Sequence, residues 1–344
     1  MPKTPVKLAV IGLGMAAKPH LAALKELAGK VEVGGVFARS PETRQVVADT
    51  WGWPTYESLD DIAKSDVDGA IVITPPHARA EIVKTLANAG KAILMEKPVE
   101  RDLARATEIV EICESANVPL GIVFQNRFRG GAIALRELID SGKAGTIRKV
   151  QLNLPWWRDQ SYYDEPGRGT YAGDGGGVLI TQAIHFMDLM LSLTGPVAKV
   201  SALTGTTAFH QMEAEDFANA GMVFANGAFG ALTATTASFP GAAETLEIDC
   251  DHASVRLLAG ELTIHWRDGR TETIGELTKS GGGSDPMDFP CDWHRDLIAD
   301  FAASLREGRA PMITGREALR VHRLIQAIEK SAKTEKQVTV ETDE

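Results

Sequence analysis

Cysteine is scarce in this chain, and its cysteines do not form a recognisable pattern. The 344 residues include only Cys113, Cys250 and Cys291, which are far apart and contain no CxxC pair. This spacing indicates neither a disulfide framework nor a thiolate zinc site, and we predict no metal site. Unpaired cysteines fit a reducing compartment, so we expect a cytoplasmic protein.

An excess of basic residues and a long apolar run are also missing. Lys and Arg number 36 against 46 Asp and Glu, which leaves a formal net charge of −10. Such a chain is unsuited to nucleic acid or an anionic membrane surface as its main partner. No apolar run has membrane-spanning length. The short run at residues 6–13 ends in glycines, so it is interpreted as a strand and not as a signal peptide. We expect a small-molecule partner.

Strand and helix patterns alternate in the first third of the chain. Hydrophobic residues make up 44% and charged residues 24%, which is typical of globular proteins, and the length suffices for two domains. The strand patterns are VKLAVIG, VEVGGVFA, a very short one in PTYESLDDI, GAIVITPP, KAILMEKP and VPLGIVFQNRF. Helix patterns between them predict an α/β Rossmann domain, a doubly wound parallel sheet in the order 3-2-1-4-5-6.

A different pattern begins near Thr146. Strand-like segments follow one another closely from TIRKVQLNLP to LTIHWR, which predicts an α+β domain with a large, mainly antiparallel open sheet. Thr278 to Pro286 has the composition of a flexible loop, and two helices close the chain near Trp293–Leu305 and Arg316–Lys333. We place the domain boundary near Gln125, which gives a dinucleotide-binding domain at 1–125 and a substrate-binding and oligomerisation domain at 126–344.

A glycine-rich turn follows the first strand. Gly12, Gly14 and Ala17 fit the pattern G-x-G-x-x-A between a strand and a helix. Gly12 permits the tight turn, Gly14 lets a pyrophosphate approach the backbone, and Ala17 keeps the helix near the strand. With Met15 and Ala16 in the same turn, this pattern predicts dinucleotide binding; the alternative is an ordinary tight turn.

The second strand ends without the acidic residue that binds the ribose of NAD. Arg39 and Ser40 stand there instead. A carboxylate would repel a 2′-phosphate, whereas these side chains can bind one, so the sequence favours NADP over NAD. The alternative is a solvent-exposed turn that binds nothing.

Two further strands end in polar loops. One carries Thr74, Pro75 and Pro76, and the other carries Glu96 and Lys97 before Pro98. Ligands bind outside the C-terminal strand ends near the switch point of a doubly wound sheet, so we expect both loops beside the nicotinamide. Lys97 is the catalytic candidate, although a lysine there could also be exposed and inert.

A buried helix is predicted from Val178 to Leu193. Polar Thr181, His185 and Asp188 lie at i, i+4 and i+7 on one face, and Gln182 lies beside them. Polar groups in a buried helix need partners, so His185 is either a core histidine or part of a site. Three glycines, 175–177, precede the helix and let another group approach the backbone closely, which favours the site.

Aromatic residues are few, at 6% of the chain, but many lie in WWRDQSYYDEPGRGTYAGD just before that helix. Aromatic rings stack on sugar faces, and arginine binds carboxylates or phosphates. Trp156, Tyr163 and Arg168 are therefore candidate substrate contacts, together with Thr181, Gln182 and His185. The alternative is a packed loop over the sheet.

These motifs together resemble the Gfo/Idh/MocA family of NAD(P)-dependent oxidoreductases over nearly the whole chain. The resemblance rests on the glycine turn, TPPH (which adds His77 to the cofactor contacts), EKP, QNRF, the helix through His185 and the C-terminal GREALRVHRLIQAIEKSA. It implies a Rossmann domain, an open-sheet domain, association through that sheet as a homodimer or homotetramer, and oxidation or reduction of sugars and polyols. Lys97 and His185 match the family's lysine and histidine, whereas Thr181 stands where the family has aspartate.

The resulting hypothesis is hydride transfer between NAD(P) and a secondary alcohol or ketone of a sugar, sugar acid or polyol-like substrate. Lys97 or His185 moves the hydroxyl proton and the other polarises the oxygen, because the neutral Thr181 is no general base. Two alternatives stay open. One is a redox-sensing NAD(P)-binding protein without turnover, and the other uses tightly bound NAD for transient oxidation in an elimination or hydrolysis. The substrate, the direction of reaction and the oligomer number are left undetermined.

Overall fold

The chain divides into two compact units. The computed structural model describes residues 5–278 and 290–342. The first unit combines the N-terminal part up to Gln125 with Pro290–Leu319, and the second comprises Asn126–Phe289 and Arg320–Glu344. The break after Gln125 coincides with the predicted boundary. Residues 290–319, assigned from the sequence to the second domain, lie instead with the first unit, because their helix packs on its sheet and on its first helix.

The first unit is built around a five-stranded parallel sheet. Its strands are β1 (Val6–Ile11), β2 (Val31–Phe37), β3 (Gly69–Val72), β4 (Ala92–Glu96) and β5 (Leu120–Val123). They lie in the order β2-β1-β3-β4-β5. Its helices are α1 (Ala17–Glu26), α2 (Pro41–Trp51), α3 (Leu59–Lys64), α4 (Arg79–Asn88) and α5 (Leu103–Ser115). The central strands consist of fully buried aliphatic residues, as expected for a parallel sheet covered on both faces.

The predicted very short strand forms a single bridge. Thr55 pairs in parallel with Val36 of β2, which places it at the outer edge of the sheet. With this bridge counted as the third strand, the observed order is the predicted 3-2-1-4-5-6, which confirms the doubly wound topology. The segment QNRF, predicted as the end of the last strand, is instead a 3₁₀ turn at Gln125–Phe128.

The second unit is dominated by a nine-stranded sheet. Its strands are β6 (Ile147–Pro155), β7 (Val197–Gly205), β8 (Phe217–Phe224), β9 (Phe229–Thr235), β10 (Thr245–Cys250), β11 (Ala253–Leu258), β12 (Glu261–Trp266), β13 (Thr271–Ile274) and β14 (Val338–Thr339). They lie in the order β13-β12-β11-β10-β6-β9-β8-β7-β14. Among the described strands of this sheet, only β6 and β9 pair in parallel, so the predicted mainly antiparallel sheet is confirmed. The short strands β13 and β14 were not predicted.

The two faces of this sheet differ in composition. Val150, Leu152 and Leu154 of β6 point to the buried face with Leu246 and Ile248 of β10. Helices α6 (Gly130–Asp140) and α8 (Ile184–Thr194) pack together, α6 also on β12 and β13 and α8 on β6, because they cover the apolar side chains. The sequence reading missed α6. The short α7 (Gln160–Tyr163) precedes α8.

The helix predicted at Val178–Leu193 is composite. Residues Leu179–Ala183 form a π-helical segment, and α8 continues from Ile184 to Thr194. The last two helices are α9 (Asp292–Glu307) in the first unit and α10 (Gly315–Thr334), within which the division between units falls. The predicted flexible loop at Thr278–Pro286 lies outside the described residues except for Thr278. No helix in the described parts of the chain is long and apolar enough to cross a membrane.

Candidate active site

The glycine turn after β1 has a built cradle. Gly12 has φ +97°, and a Cβ there would lie 2.9 Å from the backbone of Ile73 and Thr74. At Gly14 a Cβ would meet nothing within 4 Å. Gly12 is therefore required by the fold, whereas the space above Gly14 remains open, as pyrophosphate binding needs.

The start of α1 suits an anion. No side chain caps the helix, and its first turn has no acidic residue. Met15 and Ala16 are exposed, whereas Ala17 is buried against the sheet. The amide of Ala17 donates to the carbonyl of Gly14 at 2.9 Å, which sets the first turn. The N–H-bearing end of a helix attracts phosphate groups, so the predicted residues of this turn can hold a dinucleotide.

The turn after β2 divides the roles of Arg39 and Ser40. Ser40 Oγ accepts from the amide of Thr43 at 3.1 Å and donates to Glu42 Oε2 at 2.8 Å, so it caps α2. Its hydrogen bond lowers the pKa of Glu42. Arg39 is exposed and, within the described ranges, makes no hydrogen bond or ion pair. Arg39 is therefore placed to bind a 2′-phosphate such as that of NADP, whereas the Ser40 hydroxyl is already bonded to Thr43 and Glu42.

A buried arginine connects the two polar loops at the strand ends. Arg79 is 2% exposed. Its Nε donates to the carbonyl of Thr74 at 2.9 Å, its Nη2 to that of Lys97 at 3.4 Å, and its Nη1 to those of Glu96 and Pro98. In contrast, Pro75 and the predicted His77 are exposed and Pro76 is half-buried. Arg79 was missed because a charged residue at the start of a helix is ordinarily solvated.

Glu96 belongs to a buried group of polar side chains. Its Oε1 lies 2.8 Å from Nε2 of His20, and its Oε2 accepts from the amide of Lys97 at 3.0 Å. Burial alone would raise the pKa of Glu96, but the hydrogen bond with His20 and the charge of Lys97 hold it well below its usual range. We predicted that Glu96 contacts the cofactor. Its carboxylate points instead into the first unit, where it holds the backbone of Lys97.

His294 from α9 completes this group. Its ring lies edge-on to that of His20, with ring centroids 4.8 Å apart, and burial lowers its pKa to about 3. The ligand-type atoms of His20, Glu96 and His294 lie within 4.8 Å of one another, which is compact enough to consider a metal ion. Because Arg79 and Lys97 already offset the charges of Glu96 and Glu100, we interpret the 2.8 Å contact as a hydrogen bond.

Two polar atoms at this edge of the sheet are available to a ligand. Among the described residues, the buried Oγ1 of Thr74 after β3 and Oε1 of Gln125 after β5 have no hydrogen-bond partner. A buried polar atom that lacks a partner is costly. The open space above Gly14 and these atoms fit a dinucleotide along the C-terminal ends of the strands.

The second unit carries the predicted histidine on the composite helix. His185 and Thr181 are half-buried, and Gln182 is buried. Thr181 Oγ1 donates to the carbonyl of Gly177 at 2.6 Å and contacts Gln182 Oε1. Asp188 forms a two-pronged ion pair with Arg127 of QNRF, at 2.6 and 2.7 Å. Asp188 therefore anchors the helix, and Thr181 and His185 keep partly accessible surface. π-helical segments often occur at functional sites.

The glycines before that helix make room for a carboxyl group of this chain. A Cβ on Gly177 would lie 1.9 Å from the carbonyl oxygen and 2.5 Å from Cδ of Glu215. Glu215 Oε1 accepts from the amide of Leu179 at 3.0 Å, and its carbonyl accepts from Val178 at 2.8 Å. Burial raises the pKa of Glu215 to about 7. The three glycines correctly predicted that another group comes close to the backbone here, but only the structure identifies that group as Glu215.

The aromatic stretch is largely packed. Trp156 is 5% exposed and packs edge-on against Phe186, and Tyr163 is buried with its hydroxyl 2.6 Å from Thr236 Oγ1. Arg168 is half-buried over the ring of Tyr162, 3.4 Å from Asp174. Trp156 and Tyr163 therefore shape the wall of this region, and Arg168 retains surface for a ligand.

The fold and the glycine turn define an α/β protein with a dinucleotide-binding Rossmann domain followed by an open-sheet domain. Residues 6–124 match the family model described as "Oxidoreductase family, NAD-binding Rossmann fold", and residues 132–256 match that of the "GFO/IDH/MocA C-terminal domain". The chain belongs to the Gfo/Idh/MocA family.

Several relatives have named activities. A WlbA dehydrogenase structure from Bordetella pertussis, in complex with NADH and UDP-GlcNAcA, is 27% identical with a TM-score of 0.84, covering 98% of this chain and all of that one. D-apiose dehydrogenase from Paraburkholderia graminis is 25% identical over 95% of this chain and 88% of its own length. Inositol 2-dehydrogenase from Rhizobium meliloti is 28% identical over 55% of each. The chain spans 55–59% of the length of several curated relatives.

Proposed function

We propose that the protein is an NAD(P)-dependent dehydrogenase or reductase acting on CH–OH groups. It transfers hydride between the nicotinamide and a secondary alcohol or ketone of a sugar, sugar acid or polyol-like substrate. The observation that carries this proposal is Lys97, which follows β4 on the same sheet edge as the glycine turn and is held there through its own backbone. The named activities of the relatives, on apiose and inositol, support this substrate class.

The protein's own groups supply proton handling and orientation, while the bound nicotinamide supplies the hydride acceptor or donor. Gly12 to Ala17 bind the phosphates, and Thr74 offers its hydroxyl to the cofactor. Lys97 and His185 are the proposed acid–base groups: one takes the proton of the substrate hydroxyl, and the other donates a hydrogen bond as charge develops. Thr181 can only orient, because a hydroxyl is not basic near neutral pH.

We infer that the preference for NADP over NAD depends on Arg39. Its guanidinium is exposed and is not engaged with another described side chain. Ser40 contributes mainly as the cap of α2, which holds the turn that carries Arg39. On the substrate side, Arg168, Thr181 and His185 keep partly exposed surface and are proposed as direct contacts. Gln182 orients Thr181, whereas Trp156 and Tyr163 are buried and pack against Phe186 and Thr236.

The test compares three variants in a panel of sugars, sugar acids and inositols. Lys97→Met and His185→Ala should each lower kcat by about 10²–10⁴-fold, the usual contribution of a positioned acid or base. Thr181→Ala should cost much less. Cofactor affinity, measured by fluorescence titration, should stay within a few-fold in all three, because the phosphates bind at the glycine turn.

The same panel separates the two alternative functions. Accumulation of NADPH or NADH in proportion to product supports the proposal. Turnover with no net change in cofactor would indicate transient oxidation within an elimination or hydrolysis. Tight cofactor binding without turnover of any substrate would indicate a redox sensor. If Lys97→Met keeps kcat within a few-fold of the parent, the role assigned to Lys97 is wrong.

A further inference from the structure

We propose that Arg79 is a positioning residue that shapes the backbone of Glu96–Pro98 and thereby directs Lys97. The inference rests on the proposed function of Lys97. Arg79 was not a predicted site residue, and its side chain offers no surface to a ligand, since it is 2% exposed. Its effect on the reaction must therefore act through the groups that it contacts.

The contacts of Arg79 fix an unusual backbone. In a β-strand, successive carbonyls point to opposite sides. The carbonyls of Glu96, Lys97 and Pro98, three residues in a row, all accept from the Arg79 guanidinium. The segment after β4 must therefore curl around this side chain. A planar guanidinium with five donors can satisfy several carbonyls at once, which a lysine ammonium cannot do in the same geometry.

The amide side of Lys97 is held as well. Glu96 Oε2 accepts from the Lys97 amide at 3.0 Å, while Glu96 Oε1 is hydrogen-bonded to His20 at 2.8 Å. The peptide groups on both sides of the Lys97 Cα are thus bound to buried charged groups, which fixes the direction in which the Lys97 side chain leaves the backbone.

The buried guanidinium of Arg79 must stay protonated to hold the carbonyls of Glu96, Lys97 and Pro98. Burial lowers the pKa of Arg79 to about 10, and the charges of Glu96 and Glu100 oppose that shift. Arg79 therefore stays protonated at neutral pH. The fourth contact, from Nε to the carbonyl of Thr74 at 2.9 Å, ties the curled segment to the loop after β3. One side chain thus sets the spacing of both strand-end loops.

The experiment uses Arg79→Lys and Arg79→Gln, with Val83→Ala as the matched control. Val83 is fully buried on the same helix, so its truncation loosens packing without touching the carbonyls. Hydrogen exchange is followed by mass spectrometry on the peptide that spans residues 94–100. Exchange there should accelerate at least about tenfold in both Arg79 variants and stay near the parental rate in Val83→Ala.

Kinetics provide the second measurement. Arg79→Gln should lower kcat by about 10²-fold, as expected when a catalytic group is displaced by about 1 Å, and Arg79→Lys should lower it less. The KM should change only a few-fold, and Val83→Ala should keep its kcat. If the Arg79 variants do not fold, Glu96→Ala replaces them, because it removes both carboxylate oxygens, the one that accepts from the Lys97 amide and the one that contacts His20.

The outcomes separate this inference from the proposed function. Faster exchange with unchanged kcat overturns the role of Arg79 in aiming Lys97. Unchanged hydrogen exchange at residues 94–100 would show that Arg79 does not shape the backbone of this segment. If Lys97→Met retains parental turnover, the proposed function of Lys97 is wrong, and the exchange measurement still decides whether Arg79 shapes the segment.

Discussion

At the scale of single residues, Arg39 decides the cofactor proposal. Arg39→Ala should weaken NADP binding by about 10–100-fold, since a hydrogen bond to a charged group contributes about 1.5–3 kcal/mol, and should leave NAD binding nearly unchanged. Titration of both cofactors on both proteins measures this. Equal affinities for NADP and NAD in the parent would contradict the preference. Lys18→Ala, an exposed change in α1, serves as a charge control.

The two glycines of the turn have different roles: Gly12 is needed for the fold, and Gly14 for the approach of the cofactor. Gly14→Ala places its methyl group in open space, so it should leave thermal stability nearly unchanged and weaken cofactor binding at least about tenfold, because the methyl occupies the approach of the pyrophosphate. Gly12→Ala should instead destabilise the fold, since its φ is +97° and its Cβ would contact backbone at 2.9 Å. Melting curves and cofactor titrations decide between these effects. Unweakened binding in Gly14→Ala would place the dinucleotide elsewhere.

At the scale of elements, we expect the start of the composite helix to be sensitive to pH. Glu215 lies against Gly177, accepts from the amide of Leu179, and has its pKa raised to about 7, mainly by burial and further by the charge of Glu329. A carboxyl group with a raised folded-state pKa binds protons more tightly when folded. It therefore favours the folded state below its unfolded pKa of 4.5, and this contribution is lost as pH rises to about 7.

Glu215→Gln should remove this dependence while keeping the acceptor for Leu179. The free energy of unfolding of the parent should fall relative to the variant between pH 4.5 and 7, by up to about 3 kcal/mol. Urea unfolding of both proteins at pH 5, 6, 7 and 8 gives this difference, and the other titrating groups cancel in it. A difference that is constant with pH would show that Glu215 titrates normally.

One polar residue of the composite helix, Asp188, stabilises the structure through an ion pair. Asp188 shares a helical stripe with His185 in the sequence, yet it is paired with Arg127, with both side chains largely buried. Breaking a buried pair leaves an uncompensated charge, so its contribution is to stability. The π-helical turn at Leu179–Ala183 changes the spacing of Thr181 and His185 from that of a regular helix. Thr181 belongs to that π-helical segment, whereas His185 lies in the regular helix α8.

At the scale of the whole molecule, the open face of the large sheet favours self-association. Leu203 and Phe229 are 66% and 67% exposed, and the register places them on one face with Ser201, Gly221 and Ala231. The same face carries the polar Asn219 beside Leu203 and Lys149 beside Phe229, and exposed apolar residues rimmed by polar ones are typical of an interface. We propose that a second copy covers it, in a homodimer or homotetramer.

Light scattering at micromolar concentration should give a multiple of the 36.9 kDa chain mass. Phe229→Asp should lower that mass, because a charge would be buried in the interface. Phe239→Asp is the control, since Phe239 is 75% exposed but follows β9 beyond the strand. A monomeric parent would rule out the proposal.

The sequence by itself determined the features that depend on local pattern. Aliphatic strands between helices predicted the doubly wound sheet, and the turn at Gly12 and Gly14 predicted the nucleotide cradle. Such predictions are possible because side-chain periodicity and the backbone freedom of glycine determine local structure within a few residues. Lys97 and His185 were marked by their motifs, and the family assignment followed from the same residues.

Only the tertiary structure decided which distant groups meet. His294 comes from a helix nearly 200 residues beyond Glu96 in the sequence, and α9 proved to belong to the first unit. Arg79 and Glu215 carry no sequence signal of their role, because a side chain's burial and partners depend on the packing of elements that are remote along the chain. Trp156 and Tyr163 became packed residues for the same reason. Periodicity can show that a group is buried, but its partner is set by how the elements pack.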